Sequence, residues 1–263
     1  MTKLQLWENA PGFRPDYGQE APALNLFLLD DGKPHGMVIV FPGGGYNHLA
    51  AHEREPIAQW LNQAGFSACV LNYRVAPYRH PAPWQDASRA VRTVRAHAAE
   101  WNVPPDHVGV LGFSAGGHLA AHLSTCCDAG DPAATDPVER CSSRPDAAVL
   151  CYAVVTFTQA FSHAGSGSSL VGENPAPGLK ESLSAEARVS AQTPPCFLWA
   201  TAEDEKVPVE NSLVFAQALQ RCGVPFELHI FPHGRHGKGL ANDDPVVGQW
   251  KRLCAAWLKG LGF

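Results

Sequence analysis

Short apolar runs alternate with helical periods along most of this chain, and that alternation narrows the fold more than any other feature. Gly36 to Phe41, Ser67 to Tyr73, His107 to Gly112, Ala147 to Val155, Cys196 to Thr201 and Phe226 to Phe231 are compact β-type runs. Between them, apolar residues recur at three- and four-residue steps, as in Ile57, Ala58, Trp60, Leu61 and Ala64. Ala87, Ala90, Val91, Val94, Ala98 and Trp101 repeat the pattern, and helices are also expected over Ala115 to Thr125, Asn211 to Cys222 and Val246 to Leu258. Strands separated by helices pair in parallel, because each crossover must travel over one face of the sheet. The expected fold class is α/β, a mostly parallel central sheet with helices on both faces.

Composition narrows the function classes. Of 263 residues, 45% are hydrophobic and 17% charged, which supplies a core and argues against disorder. The net charge is −5 and no Lys/Arg block stands out, so a nucleic-acid backbone has no complementary surface. No apolar run reaches the roughly 18 residues of a membrane span. Met1 to Phe13 contains Lys3 but no apolar stretch, so no signal peptide is expected. The eight cysteines include no C-x-x-C pair, and reduced thiols in a cytoplasmic location are the expectation.

Two polar stretches, 126–145 and 163–193, interrupt the alternation and are expected to be irregular insertions that shape the mouth of a pocket. Arg89, Arg92 and Arg95 lie opposite the apolar stripe of their helix and read as a solvated face.

Gly112-Phe113-Ser114-Ala115-Gly116 sits where a strand pattern passes into a helix pattern. A G-x-S-x-G turn there holds its serine in a sharp bend at the carboxyl edge of the sheet, and small neighbours let strand and helix approach. A serine hydroxyl needs a base to remove its proton, and the base needs an acid to orient it. Asp204, between Glu203 and Glu205, follows one strand; His236, with His233 as its competitor, follows the last. Position alone does not choose among the three carboxylates, and the glycines at 234 and 237 only lean toward His236. Gly43-Gly44-Gly45 follows the first long apolar strand and suits a loop whose N–H groups stabilise an oxyanion, together with the N–H of Ala115. A phosphate cradle would need a Lys-Ser/Thr pair after the glycines, and none follows. His118 and His122 stand four apart, a metal-ligand spacing, but with no third ligand they read as packed, hydrogen-bonded residues; no metal or cofactor is expected. Tyr46, Phe113 and Trp199 are candidates to line the substrate pocket, each equally able to be core.

These motifs resemble the α/β-hydrolase superfamily from about Met37 to Leu240, and within it small esterases related to acetyl xylan esterases and bacterial feruloyl-type esterases. The resemblance rests on Phe41 to Tyr46, Asn72 to Pro77, Gly112 to His118, Asp204 to Pro208 and Gly234 to Gly237. It implies Ser114 as nucleophile, Asp204 as acid, His236 as base, and Gly44, Gly45 and Ala115 as oxyanion donors. It also implies a small-molecule ester as partner, acetylated xylo-oligosaccharides first. Hormone-sensitive-lipase-like relatives carry His where this chain has Pro42, which points away from that subfamily. Kynurenine formamidases share a similar loop and elbow, so an arylformamidase is the alternative enzyme, and a non-catalytic ligand-binding module the alternative from another class. Because Ser114, Asp204 and His236 must meet in space, residues 1–263 are expected to form one domain.

Overall fold

The computed structural model describes residues 2–263; Met1 lies outside the described residues. Eight strands among them form one sheet: β1 (Thr2–Gln5), β2 (Ala23–Phe27), β3 (Met37–Phe41), β4 (Ser67–Asn72), β5 (Val108–Phe113), β6 (Ala147–Cys151), β7 (Cys196–Thr201) and β8 (Phe226–Phe231). Their spatial order is β1-β2-β4-β3-β5-β6-β7-β8. From β4 to β8 every pairing is parallel, as the alternation predicts, while β1–β2 and β2–β4 are antiparallel.

The seven α-helices of the described residues are α1 (Glu55–Ala64), α2 (Ala82–Ala96), α3 (Ser114–Thr125), α4 (Ala164–Val171), α5 (Leu179–Leu183), α6 (Glu210–Arg221) and α7 (Trp250–Gly260). The side chains of the central strands alternate between two cores. Ile39, Cys69, Leu71, Val110, Leu150 and Leu198 pack with Val91 of α2, Leu119 of α3 and Phe215 of α6. Val38, Val40, Val70, Leu111, Val149 and Phe197 pack on the other face with Leu61 of α1 and Trp250 and Leu258 of α7. Both faces of the central strands are therefore buried, which is why they read as continuous apolar runs rather than alternating ones.

The structure corrects three sequence expectations. No strand was foreseen before Gly36, yet β1 and β2 extend the sheet; β1 is four mostly exposed residues at the edge and carries no buried run to signal it. In β2, Asn25 interrupts the apolar run, and its buried amide donates to Glu55 Oε1 at 3.2 Å. The stretch 163–193 is not wholly irregular, since it folds α4 and α5. The arginine row of α2 is not a solvated face either. Arg89 is buried and bonds Asp136 and Glu139 at 2.7 and 2.8 Å; Arg92 reaches Asp128 at 2.5 Å, and Arg95 reaches Asp146 at 2.6 Å. The row clamps the 126–145 insertion onto α2. Periodicity reports which side of a helix is polar, not what comes to cover it.

No helix among the described residues is long and apolar enough to cross a membrane. All eight cysteines are free thiols, and Cys69, Cys151, Cys196 and Cys254 are buried as small core residues.

Candidate active site

In an open parallel sheet, side chains gather where strands hand over to loops at their carboxyl ends. Here Gly43 follows β3, Ser114 follows β5, Tyr152 follows β6, Asp204 follows β7 and His236 follows β8. Ser114 has φ +53°, a left-handed conformation that non-glycine residues adopt only when their surroundings hold it. Those surroundings are glycines. A side-chain carbon on Gly112 would fall 2.2 Å from Gly116 O, and one on Gly116 would fall 2.2 Å from Phe41 O, so any larger residue would force the elbow apart. The Val154 N–H donates to Ser114 O at 3.1 Å and fixes the elbow against the segment after β6.

The elbow aims Ser114 at a hydrogen-bonded row. The Ser114 hydroxyl lies 2.8 Å from His236 Nε2, and His236 Nδ1 lies 2.6 Å from Asp204 Oδ2. The carboxylate can only accept, so Nδ1–H donates to it and Nε2 is left to accept the serine proton. Asp204 is held in turn by the N–H groups of Lys206 and Val207, both donating to Oδ1 at 3.0 and 2.9 Å. The neighbouring carboxylates do not reach the row. Glu203 accepts from His233 Nδ1 at 2.7 Å in a separate exposed pair, and Glu205 is exposed. Side-chain reach thus separates residues that sequence position could not. The His236 loop is pinned by Thr201, whose hydroxyl donates to Gly234 O at 2.7 Å, and by Trp250, whose indole donates to Gly239 O at 3.1 Å.

The glycine loop runs beside Ser114, since a side-chain carbon on Gly43 would stand 3.1 Å from Ser114 Cβ. Gly44 has φ +121°, and a carbon added to it would meet His48 O at 2.1 Å, so this turn accepts glycine alone. The N–H of Gly43 is taken, donating to Glu53 Oε2 at 2.8 Å. Those of Gly44 and Gly45 have no acceptor among the described residues, and Ala115 sits in the first turn of α3, where N–H groups lack intrahelical partners.

Two residues of this region went unforeseen. Glu53 is buried, and its second oxygen, Oε1, accepts the Tyr152 hydroxyl at 2.6 Å. That hydroxyl also accepts the Gly239 N–H at 2.9 Å, and the Tyr152 ring stands edge-on to His236 with centroids 5.0 Å apart. Burial, with the Glu53 carboxylate beside it, holds the Tyr152 phenol well above its ordinary pKa. One carboxylate therefore ties the glycine loop to the histidine loop. Its only sequence trace is one of two acids in the polar run His52-Glu53-Arg54-Glu55.

Tyr46 and Phe113 do not line a pocket. Phe113 is fully buried against Tyr152 and Trp250, and Trp199 is core as well. Tyr46 is buried too, with φ +59°, and its hydroxyl is committed to His118 Nδ1 at 2.8 Å. Each side chain leaves the loop or strand end on the core side, so the bulk read as pocket wall is packing. His118 Nε2 donates to Leu183 O at 2.8 Å, which leaves Nδ1 to accept from Tyr46. His122 stacks on His118 with centroids 5.9 Å apart, but its buried Nδ1 has no hydrogen-bond partner. No cluster of three or more His, Cys, Asp or Glu among the described residues is arranged to hold a metal ion. Beside His236 an open cleft of about 630 Å³ is lined by residues 202–206 and 234–236.

Comparison with known proteins identifies relatives of the whole fold. The BD-FAE family model matches residues 24–219. Endo-1,4-beta-xylanase B of Butyrivibrio fibrisolvens is 38% identical over 252 residues, covering 92% of this chain and 39% of the relative. The acetylxylan esterase of Xylanibacter ruminicola is 33% identical, over 92% of this chain and 52% of its own. The chain thus spans about half or less of the length of these curated relatives. The crystal structure of an acetyl ester-xyloside bifunctional hydrolase from Caldicellulosiruptor lactoaceticus superposes with a TM-score of 0.97 at 54% identity, covering 100% of this chain and 97% of that one. The chain belongs to the BD-FAE family, a family of α/β-hydrolase esterases.

Proposed function

We propose that this chain is a serine carboxylesterase that removes short acyl groups, acetyl above all, from esterified xylo-oligosaccharides. The observation that carries the reading is the Ser114–His236–Asp204 row, with both hydrogen bonds formed and the serine held in a strained elbow. His236 Nε2 takes the serine proton as Oγ attacks the ester carbonyl, and Asp204 stabilises the imidazolium that results. The tetrahedral oxyanion is met by the N–H groups of Gly44, Gly45 and Ala115. Collapse breaks the acyl–oxygen bond; His236 returns the proton to the departing alcohol, leaving the acyl group on Ser114. Water, deprotonated by the same imidazole, attacks the acyl-enzyme and releases the acid and free serine.

The preference for a short acyl group, acetyl first, is supported by the relatives named for acetylated substrates. The sugar portion is supported by the relatives named for acetylated xylan and xylosides. The test is hydrolysis of p-nitrophenyl acetate and of acetylated xylobiose by wild type and Ser114→Ala. Loss of about a million-fold in the variant is expected; an unchanged rate contradicts the assignment. Parallel turnover of N-formylkynurenine separates this reading from the formamidase alternative.

A further inference from the structure

His163, the residue preceding α4 in the second insertion, carries a feature that the chemistry above does not use. Its Nδ1 accepts the Ser166 N–H at 3.2 Å and lies 2.7 Å from the Ser166 hydroxyl. A ring nitrogen that accepts a backbone N–H carries no proton itself, so the neutral imidazole of His163 holds its proton on Nε2. That Nε2–H has no partner among the described residues. The tautomer is thus set by the helix cap, and what remains free is one oriented donor.

The position of the pair gives the donor a use. Ser166 is fully buried, and a side-chain carbon on Gly45 would lie 3.9 Å from its hydroxyl oxygen, so the pair rests against the glycine loop. The charged groups that act on His163 are His236, Asp204 and Lys206. Burial, His236 and Lys206 together lower its pKa, which favours the neutral donor form at pH 7. His163 is therefore a half-buried residue whose cap partner packs against the loop assigned to the oxyanion, near enough to His236 and Asp204 to feel their charge.

We propose that His163 is a specificity residue that donates from Nε2–H to an oxygen of the substrate's alcohol portion, a hydroxyl or ring oxygen of the acetylated sugar. This rests on the esterase reading above. The discriminating variant is His163→Asn, because asparagine still caps a helix by accepting the Ser166 N–H but lacks the ring that carries the second nitrogen outward. Against acetylated xylobiose, the variant is expected to lose about tenfold in kcat/KM, mostly through KM, the worth of one neutral hydrogen bond. Against p-nitrophenyl acetate, whose leaving group has no sugar hydroxyl, the change is expected to stay within about twofold, at unaltered Tm. Equal losses on both esters, or no loss on the sugar ester, overturn the inference while leaving the esterase reading intact. Wild-type protein inert on both esters overturns that reading and this inference with it.

Discussion

The Glu53 carboxylate accepts the Tyr152 hydroxyl at 2.6 Å, joining residues 99 positions apart in the chain. Its other oxygen holds the Gly43 N–H, while Tyr152 receives the Gly239 N–H, so the glycine loop and the His236 loop share one buried anchor. Glutamine at 53 keeps the shape but can accept through one oxygen only, leaving a buried group mispaired at roughly 1–3 kcal/mol. Glu53→Gln is expected to lower kcat about tenfold or more with KM little changed. Tyr152→Phe, which spares the Gly43 contact, is expected to lose less. Steady-state kinetics on p-nitrophenyl acetate with thermal melts check both, and an E53Q enzyme with wild-type kcat contradicts the anchor.

Asp204 and Glu203 are neighbours with different partners, and mutation is expected to separate them. In Asp204→Asn the amide oxygen is expected to stay with the Lys206 and Val207 N–H groups, which turns the donating NH2 toward His236 Nδ1 and puts the wrong tautomer at Ser114, with a loss of about 10⁴ in kcat by analogy with other triads. Glu203→Gln changes the exposed His233 pair and a long 3.4 Å bond from the Gly234 N–H, without touching the Ser114–His236–Asp204 row, and is expected to change kcat by less than about twofold. The two rates measured side by side decide the assignment.

What could be read in advance follows from how local each constraint is. Ser114 was legible because an elbow needs small residues at fixed offsets, and Gly112 and Gly116 supply them within five positions. Asp204 and His236 were legible as loop residues after strands, yet choosing them over Glu203, Glu205 and His233 depends on which side chain reaches the serine, a property of the folded loops. Glu53 and Tyr152 could not be singled out, because their partners lie on other elements, and His163 could not, because its cap to Ser166 is local but its approach to the glycine loop is a property of the fold. Tyr46 and Phe113 were placed in a pocket since an aromatic residue beside a catalytic motif looks the same from sequence whether it faces the ligand or the core.

The buried His118 is expected to make stability fall with acid. Burial lowers its pKa from 6.5 to about 4, and protonating Nδ1 would also break the bond from Tyr46. The unfolded chain takes up this proton first as pH drops below 6.5, so the stability present above that pH is lost progressively until about pH 4. For this residue the full effect is about 3 kcal/mol. Urea unfolding from pH 7 to pH 4 checks it. His118→Gln is expected to flatten the decline, and an unchanged slope contradicts the assignment.

Arg74 and Asp86 form a buried ion pair, with Arg74 Nη2 at 2.7 Å from Asp86 Oδ1 and side chains 1% and 0% exposed. Asp86 also receives the Arg74 N–H at 2.8 Å. Asp86→Ala strands a guanidinium in the core and is expected to cost about 3–5 kcal/mol by urea denaturation. A loss below about 1 kcal/mol would show that the pair is solvated.

The central claim is that Ser114 is the nucleophile, and covalent capture tests it most directly. Wild-type protein treated with a fluorophosphonate and read by intact-mass and peptide mass spectrometry is expected to carry one adduct per chain on the peptide containing Ser114. His236→Ala is expected to label far more slowly and Ser114→Ala not at all. Labelling that persists undiminished in Ser114→Ala, or wild-type protein that never labels, contradicts the account.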